Sequence, residues 1–136
     1  MWKSTEKIAR HIAEALSDSG VEVKLFDIAE SDRTEVIKEM LDAKGYLIGS
    51  STHDNDMLPS IAALMSLLKG LKPKKRVASA FGSYGWGSGA TASIEKELKG
   101  AGIEVVQEPI SVRYVPDESE KKKCYEFGIE FAKKCV

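Results

Sequence analysis

The segment Phe81-Gly82-Ser83-Tyr84-Gly85-Trp86-Gly87-Ser88-Gly89-Ala90 joins an apolar run of the chain to an amphipathic one. The apolar run, 76–81, predicts a buried strand, and the amphipathic run, 90–101, predicts a helix. The connecting loop is rich in glycine, which lets backbone amides approach a ligand closely. Its two large aromatic side chains, Tyr84 and Trp86, suit stacking on a flat ring better than packing in a core. The segment therefore predicts a strand–loop–helix unit that holds a planar cofactor at the carboxyl end of a sheet.

Helix-type and strand-type patterns alternate along the chain. The predicted helices span 4–19, 32–43, 60–69, 90–101 and 117–134, where apolar residues recur at helical spacing. The predicted strands span 21–26, 45–50, 76–81 and 103–115, and Pro109 divides the last into two pieces or makes it an edge strand. Strands that alternate with helices form a parallel sheet covered on both faces. We therefore predict an α/β fold with a doubly wound parallel sheet, in one domain spanning residues 1–136.

The first predicted helix begins almost at once, because only Met1, Trp2 and Lys3 precede its pattern. A doubly wound domain ordinarily begins with a strand. One common order of strands in doubly wound sheets is 2-1-3-4-5, in which the first strand of the chain is central. Here that strand would lie between the strands predicted at 21–26 and 45–50. We therefore expect a sheet without its usual first, central strand.

Composition argues against several classes of protein. The 136 residues contain 20 Lys and Arg against 21 Asp and Glu, so there is no basic excess of the kind that nucleic-acid or membrane binding requires. No apolar run approaches the length of about 20 residues that spans a bilayer, and the charged first residues do not resemble a signal peptide. Cys124 and Cys135 are eleven residues apart on one predicted helix, too far for a disulfide. We expect reduced, helix-packing thiols and a cytoplasmic protein.

Three loops are expected at the carboxyl ends of the strands, where open α/β sheets bind their ligands. The first contains Ser4 and Thr5 at a helix N-terminus, beside Lys3. Free amides, hydroxyls and the positive end of the helix dipole favour a phosphate there, although a plain N-cap explains the same residues.

The other two loops supply different chemistry. Ser51, Thr52, His53 and Asn55 could hydrogen-bond the edge of a heterocycle, with an ordinary solvated loop as the alternative. The glycine-rich loop supplies the stacking surfaces. A phosphorylated planar ring would fit all three loops together.

Three motifs resemble the flavodoxin-like domain of flavodiiron proteins, also called A-type flavoproteins. They are Trp2-x-Ser4-Thr5-Glu6, Gly49-Ser50-x-Thr52 through Met57-Leu58-Pro59, and Phe81-Gly82-Ser83-Tyr84-Gly85-Trp86-Gly87-x-Gly89-Ala90. The later Tyr114-Val115-Pro116-Asp117 and Cys124-Tyr125-Glu126-Phe127-Gly128 are similar to that domain's ending. The resemblance covers the whole chain and implies a flavodoxin-like fold that binds FMN non-covalently.

The resemblance also implies where the contacts with FMN lie. It places Trp2, Lys3, Ser4 and Thr5 around the ribityl phosphate. On one side of the isoalloxazine it places Thr52, His53 and Asn55, and on the other Ser83, Tyr84, Gly85, Trp86 and Gly87. The expected cofactor-binding set also includes Ser51 and Gly89, which belong to the same loops.

The implied function is electron transfer from a redox donor, through FMN, to a diiron-type or other metal centre on another domain or chain. The only histidines are His11 and His53, so we expect no diiron site and assign no catalytic or metal-ligating residue. Whether the chain is itself an enzyme stays open. The alternative is a truncated, cofactor-free fragment, with Met1 a late start in a longer reading frame, or a module that completes its sheet by strand exchange with a second copy or a partner.

Overall fold

A computed structural model of the chain describes residues 2–28, 30–51, 57–71, 73–84, 89–113 and 117–135. These residues contain helices on both faces of a parallel sheet, which confirms the predicted α/β class. The helices are α1 (Trp2–Asp18), α2 (Arg33–Asp42), α3 (Pro59–Leu71), α4 (Gly89–Gly100) and α5 (Glu118–Lys134). The strands are β1 (Gly45–Ser51), β2 (Val77–Tyr84), β3 (Glu104–Val105) and β4 (Ile110–Arg113).

Strand β2 lies in the middle of the described sheet. It pairs in parallel with β1 on one side, from Gly45 opposite Val77 to Ser51 opposite Ser83. On its other side it pairs in parallel with β3 and then with β4. These two short strands confirm that the predicted segment 103–115 is divided into two pieces. Where the ladder is interrupted, the Ser79 hydroxyl donates to the Gln107 carbonyl oxygen at 3.1 Å.

Each face of the sheet carries its own apolar cluster, because alternate residues of a strand point to opposite faces. One cluster joins α1 and α5 to the sheet and includes Ile8, Ile12, Phe81, Phe127 and Phe131. The other joins α2, α3 and α4 to the opposite face and includes Met40, Ile48, Leu64, Ile94 and Leu98. No helix in the described parts of the chain is long and apolar enough to span a bilayer.

Helices α1 and α5 approach closely because α5 carries a glycine at their contact. A Cβ atom at Gly128 would lie 2.7 Å from Cβ of Ala15 and 2.8 Å from the carbonyl oxygen of Ile12. About one helical turn away, the Tyr125 hydroxyl donates to Asp18 Oδ2 at 2.6 Å. Apolar packing and one hydrogen bond therefore fix the two helices against each other.

Local signals define several helix ends. The Asp32 side chain accepts a hydrogen bond from the backbone N–H of Thr34 and caps α2. Asp117 caps α5 in a reciprocal capping box with Glu120, as the sequence predicts. Gly20 follows α1 with a φ of 83°, a left-handed conformation that glycine adopts without strain.

The prediction of a strand at 21–26 is wrong, because these residues pair with no strand in the described structure. Their alternating side chains are nevertheless used in packing. Val21 and Val23 contact the cluster of α1 and α5, and Phe26 contacts the opposite cluster. An alternating pattern buries apolar side chains, but a strand also requires a neighbour that pairs with its N–H and C=O groups. Among the described residues no strand supplies that pairing for 21–26.

Strand β1 consequently has one open edge, since β2 is its only partner in the described part of the sheet. The Val77 N–H donates to the Lys44 carbonyl oxygen at 3.1 Å, and Gly45 lies opposite Val77. In a parallel ladder this pattern directs the peptide groups of Tyr46, Ile48 and Ser50 toward β2. The peptide groups of the residues between them, Leu47 and Gly49, point to the open edge.

Candidate ligand site at the carboxyl end of the sheet

One residue from each of the three predicted loop regions meets its counterparts at the carboxyl end of the sheet. Ser51 and Ser83, near the ends of β1 and β2, are in-register partners on neighbouring strands. Thr5, in the first turns of α1, is hydrogen-bonded to Ser83, with 2.7 Å between Oγ1 and Oγ. Segments separated by 78 positions in the sequence are therefore in direct contact where the ligand was predicted.

The donors at this edge are hydroxyl groups and helix N-terminal amides. Ser51 is 4% exposed and Ser83 is 1% exposed, while Thr5 is partly exposed. The first turn of α1 contains no acidic side chain, so no carboxylate offsets the positive end of the helix dipole. In the described residues there is no group of His, Cys, Asp or Glu that could hold a metal ion. This donor set fits a hydrogen-bonded phosphate ester rather than a metal cation.

Helix α1 begins earlier than predicted, at Trp2 instead of Ser4. Trp2, Lys3 and Ser4 therefore belong to its first turn and not to a preceding loop. This difference preserves the proposed chemistry, since the first four N–H groups of any helix have no partner within the helix. The backbone amides of this turn stay available to an anion.

Ser50 links the end of β1 to the residue before α3, a role that was not predicted for it. Its hydroxyl donates to the Ser51 carbonyl oxygen at 2.7 Å and accepts from the Leu58 N–H at 2.9 Å. Ser50 is 1% exposed, and Met57, beside Leu58, is 7% exposed and packed in the core. The Ser50 hydroxyl thus joins Ser51 to Leu58 across the fold. Its presence in the motif Gly49-Ser50-x-Thr52 was the only sequence signal.

The start of α4 is held against the sheet by a second hydroxyl pair that sequence reasoning also missed. Thr91 Oγ1 and Ser111 Oγ are 3.2 Å apart, which links α4 to β4. Gly82 lies opposite both Ser50 and Ser111 in the ladders. A Cβ atom at Gly82 would lie 2.6 Å from the Ser50 carbonyl oxygen and 3.3 Å from Cγ2 of Thr91. The glycine therefore permits the close approach of α4 to this edge.

The remaining predicted site residues are placed in part. Gly89 is the first residue of α4, and Tyr84 is the last residue of β2. Six residues of the predicted set lie outside the described residues: Thr52, His53, Asn55, Gly85, Trp86 and Gly87.

The cysteines serve packing, as predicted, and neither forms a disulfide. Cys124 is completely buried in the cluster of α1 and α5. Burial, assisted by the nearby Glu120 carboxylate, raises the pKa of its thiol to about 11. Burial also raises the pKa of the Cys135 thiol. Both side chains therefore favour the neutral thiol at physiological pH.

Comparison with known proteins identifies relatives that are similar to this chain in sequence and in fold. Residues 1–128 match the flavodoxin family. The chain is 48% identical over 133 residues to the nitric oxide reductase of Moorella thermoacetica, a match that covers 97% of this chain and 33% of the relative. It superposes with a TM-score of 0.95 on rubredoxin oxygen:oxidoreductase from Desulfovibrio gigas, at 33% identity, covering 99% of this chain and 34% of that one.

A flavodiiron protein from Giardia intestinalis gives a TM-score of 0.94 at 28% identity, covering 99% of this chain and 34% of that one. The chain thus spans about a third of the length of each of these relatives. The chain belongs to the flavodoxin family and corresponds to the flavodoxin-like domain of flavodiiron proteins.

Proposed function

We propose that this chain is an FMN-binding electron-transfer module that passes electrons to a metal centre on another domain or chain. One observation carries the proposal. The 2.7 Å contact between Thr5 and Ser83, with Ser51 in register beside Ser83, brings the predicted phosphate, ring-edge and stacking regions to one edge of the sheet. Membership of the flavodoxin family supports FMN as the ligand.

The phosphate end of FMN would be held by the first turn of α1. Backbone amides of this turn and the hydroxyls of Ser4 and Thr5 would donate to the phosphate oxygens, and Lys3 would add a positive charge. Trp2 would border the same group.

The ring of FMN would lie between the second and third loops. One edge would be bordered by Ser51, Thr52, His53 and Asn55. The other side would be bordered by Ser83, Tyr84, Gly85, Trp86, Gly87 and Gly89. Bound FMN supplies the electron-transfer chemistry, and the protein orients the ring and excludes water from it.

The partners in this proposal are a redox donor and a metal-centre acceptor. The relatives are about three times as long as this chain, and the described residues contain no set of metal ligands. We therefore assign the acceptor centre to a different domain or chain. We place the module in the cytoplasm, because its two cysteines are free thiols.

Titration with FMN and riboflavin tests the proposal. The purified chain should bind FMN at micromolar concentrations or below, with a visible absorbance spectrum. Lys3→Ala should weaken FMN binding about tenfold, equivalent to about 1.4 kcal/mol, and leave riboflavin binding unchanged. Lys74→Ala, a matched change at an exposed position before β2 begins, should alter neither affinity. A folded chain that binds no FMN at micromolar concentrations would refute the proposal.

A second candidate function is favoured by the open edge of β1 and the unpaired segment 21–26. An edge strand offers a row of unpaired peptide groups to another chain. The chain would then be a cofactor-free assembly module that completes its sheet by strand exchange. Light scattering separates the two candidates, since a stable, flavin-bound monomer would exclude the assembly module.

A further inference from the structure

Two hydrogen bonds between described side chains tie α1 to the rest of the fold, one near each end of the helix. Thr5 bonds to Ser83 at 2.7 Å, and Asp18 accepts from Tyr125 at 2.6 Å. Between these contacts α1 packs through apolar side chains such as Ile8 and Ile12. Apolar packing has little directionality. The two polar contacts therefore fix how far the helix slides along the sheet and how it rotates.

Ser83 is the immobile member of its pair. It lies one residue before the end of β2, opposite Ser51 on one side and Val112 on the other. Two ladders hold its backbone, and its side chain is on the face of the sheet that α1 and α5 cover, as is that of Phe81. Thr5, on a helix, is the member whose position the contact determines.

We propose that the Thr5–Ser83 hydroxyl pair is a positioning link that sets the distance between the first turn of α1, where the phosphate would bind, and the end of β2, which leads toward the glycine-rich loop. This inference rests on the proposed FMN site. The link connects the first turns of α1 directly to the strand that leads into the glycine-rich loop. A ligand that engages both regions at once requires both in their correct relative positions before binding.

The link has a consequence that direct contact with the ring would not have. FMN would contact both the first turn of α1 and the loops that border the ring. Riboflavin lacks the phosphate and would contact only those loops. Loss of a positioning link therefore weakens FMN binding more than riboflavin binding. Loss of a direct contact between Ser83 and the ring would weaken both by the same factor.

Dissociation constants for FMN and riboflavin, measured by fluorescence titration, test the link. The proteins compared are wild type, Ser83→Ala, Thr5→Val and the double variant. Ser83→Ala should weaken FMN binding three- to tenfold and riboflavin binding less than twofold. In the Thr5→Val background the same serine change should weaken FMN binding by a smaller factor than in wild type, because the link is already absent.

Two more variants sharpen the result. Thr5→Ser keeps the hydroxyl and should retain the wild-type ratio of the two affinities. Tyr125→Phe removes the hydrogen bond to Asp18 near the far end of α1 and should also leave that ratio unchanged. If Ser83→Ala does not fold, Ser83→Cys, which keeps the size of the side chain but has a weaker hydrogen-bonding group, tests the same bond.

The outcomes separate the link from the FMN site itself. Equal losses for both flavins in Ser83→Ala, or additive effects in the double variant, would overturn the positioning link and leave the FMN site standing. A wild-type chain that binds neither flavin would overturn the proposed function, and this inference with it.

Discussion

Replacing Gly128 by alanine tests how closely α1 and α5 pack. The new Cβ would lie 2.7 Å from Cβ of Ala15 and 2.8 Å from the carbonyl oxygen of Ile12, both shorter than real Cβ contacts. Neither atom can move away by side-chain rotation, because one is a backbone oxygen and the other is the first atom of its side chain. The helices must therefore separate, and the apolar contacts between them weaken.

The magnitude follows from a comparison with Gly70, near the end of α3. A Cβ at Gly70 would meet no atom within 4 Å, so Gly70→Ala should stabilise the chain by about 0.5–1 kcal/mol through helix propensity. Gly128→Ala makes the same chemical change, opposed by an overpacking cost of about 1–3 kcal/mol. The difference between the unfolding free energies of the two variants should therefore be about 1–3 kcal/mol.

Urea denaturation of both variants measures this difference, provided that their m-values match that of the wild type. In an Ala15→Gly background, Gly128→Ala should cost less, because the 2.7 Å contact between the two Cβ atoms is gone. The rescue should be partial, since the Ile12 oxygen remains. Stabilisation of Gly128→Ala equal to that of Gly70→Ala would refute the close helix contact.

Three further predictions concern the thiol, a loop and a helix cap. Burial raises the pKa of the Cys124 thiol in the folded chain to about 11, against an ordinary 9.0. The stabilisation from the neutral thiol is therefore complete below pH 9 and falls by about 2–3 kcal/mol as the pH rises to 11. Chemical denaturation at several pH values should show this fall in the unfolding free energy, and the fall should be smaller in Cys124→Ala. Ser50→Ala removes the acceptor of the Leu58 N–H and should lower the unfolding free energy by about 1–3 kcal/mol in urea denaturation. An unchanged unfolding free energy would contradict the assigned role of Ser50. Asp117→Ala breaks the capping box with Glu120 and should cost about 1 kcal/mol by urea denaturation, whereas Asp117→Asn should retain most of that energy.

Helix positions could be predicted from the sequence because their signals are local. Apolar spacing, Pro59 at the first turn of α3 and the Asp117 cap place the helices within a few residues of their observed bounds. The strand at 21–26 could not be predicted correctly, since strand formation depends on a distant neighbour. Strand β2 also extends three residues beyond the predicted Phe81. Gly82 was assigned to the loop, yet it lies within the ladder, where its lack of a side chain permits a close contact.

For the candidate site, too, the residues could be predicted from the sequence, whereas the contacts between distant residues could not. Thr5, Ser51 and Ser83 were predicted as binding residues, and the fold places them at one edge of the sheet. The bond between Thr5 and Ser83 could not be predicted, because no periodicity links single hydroxyl residues far apart in the sequence. The same reason explains why Thr91 and Ser111 were missed as partners.

The open edge of β1 divides the amide protons of this strand into two interleaved sets. The N–H groups of Tyr46 and Ile48 point into the ladder with β2, whereas those of Leu47 and Gly49 face away from it. Deuterium should therefore replace the protons of Leu47 and Gly49 well before those of their immediate neighbours. Binding of any added strand along this edge would slow the exchange of Leu47 and Gly49 selectively, so these two amides would report the completion of the sheet residue by residue.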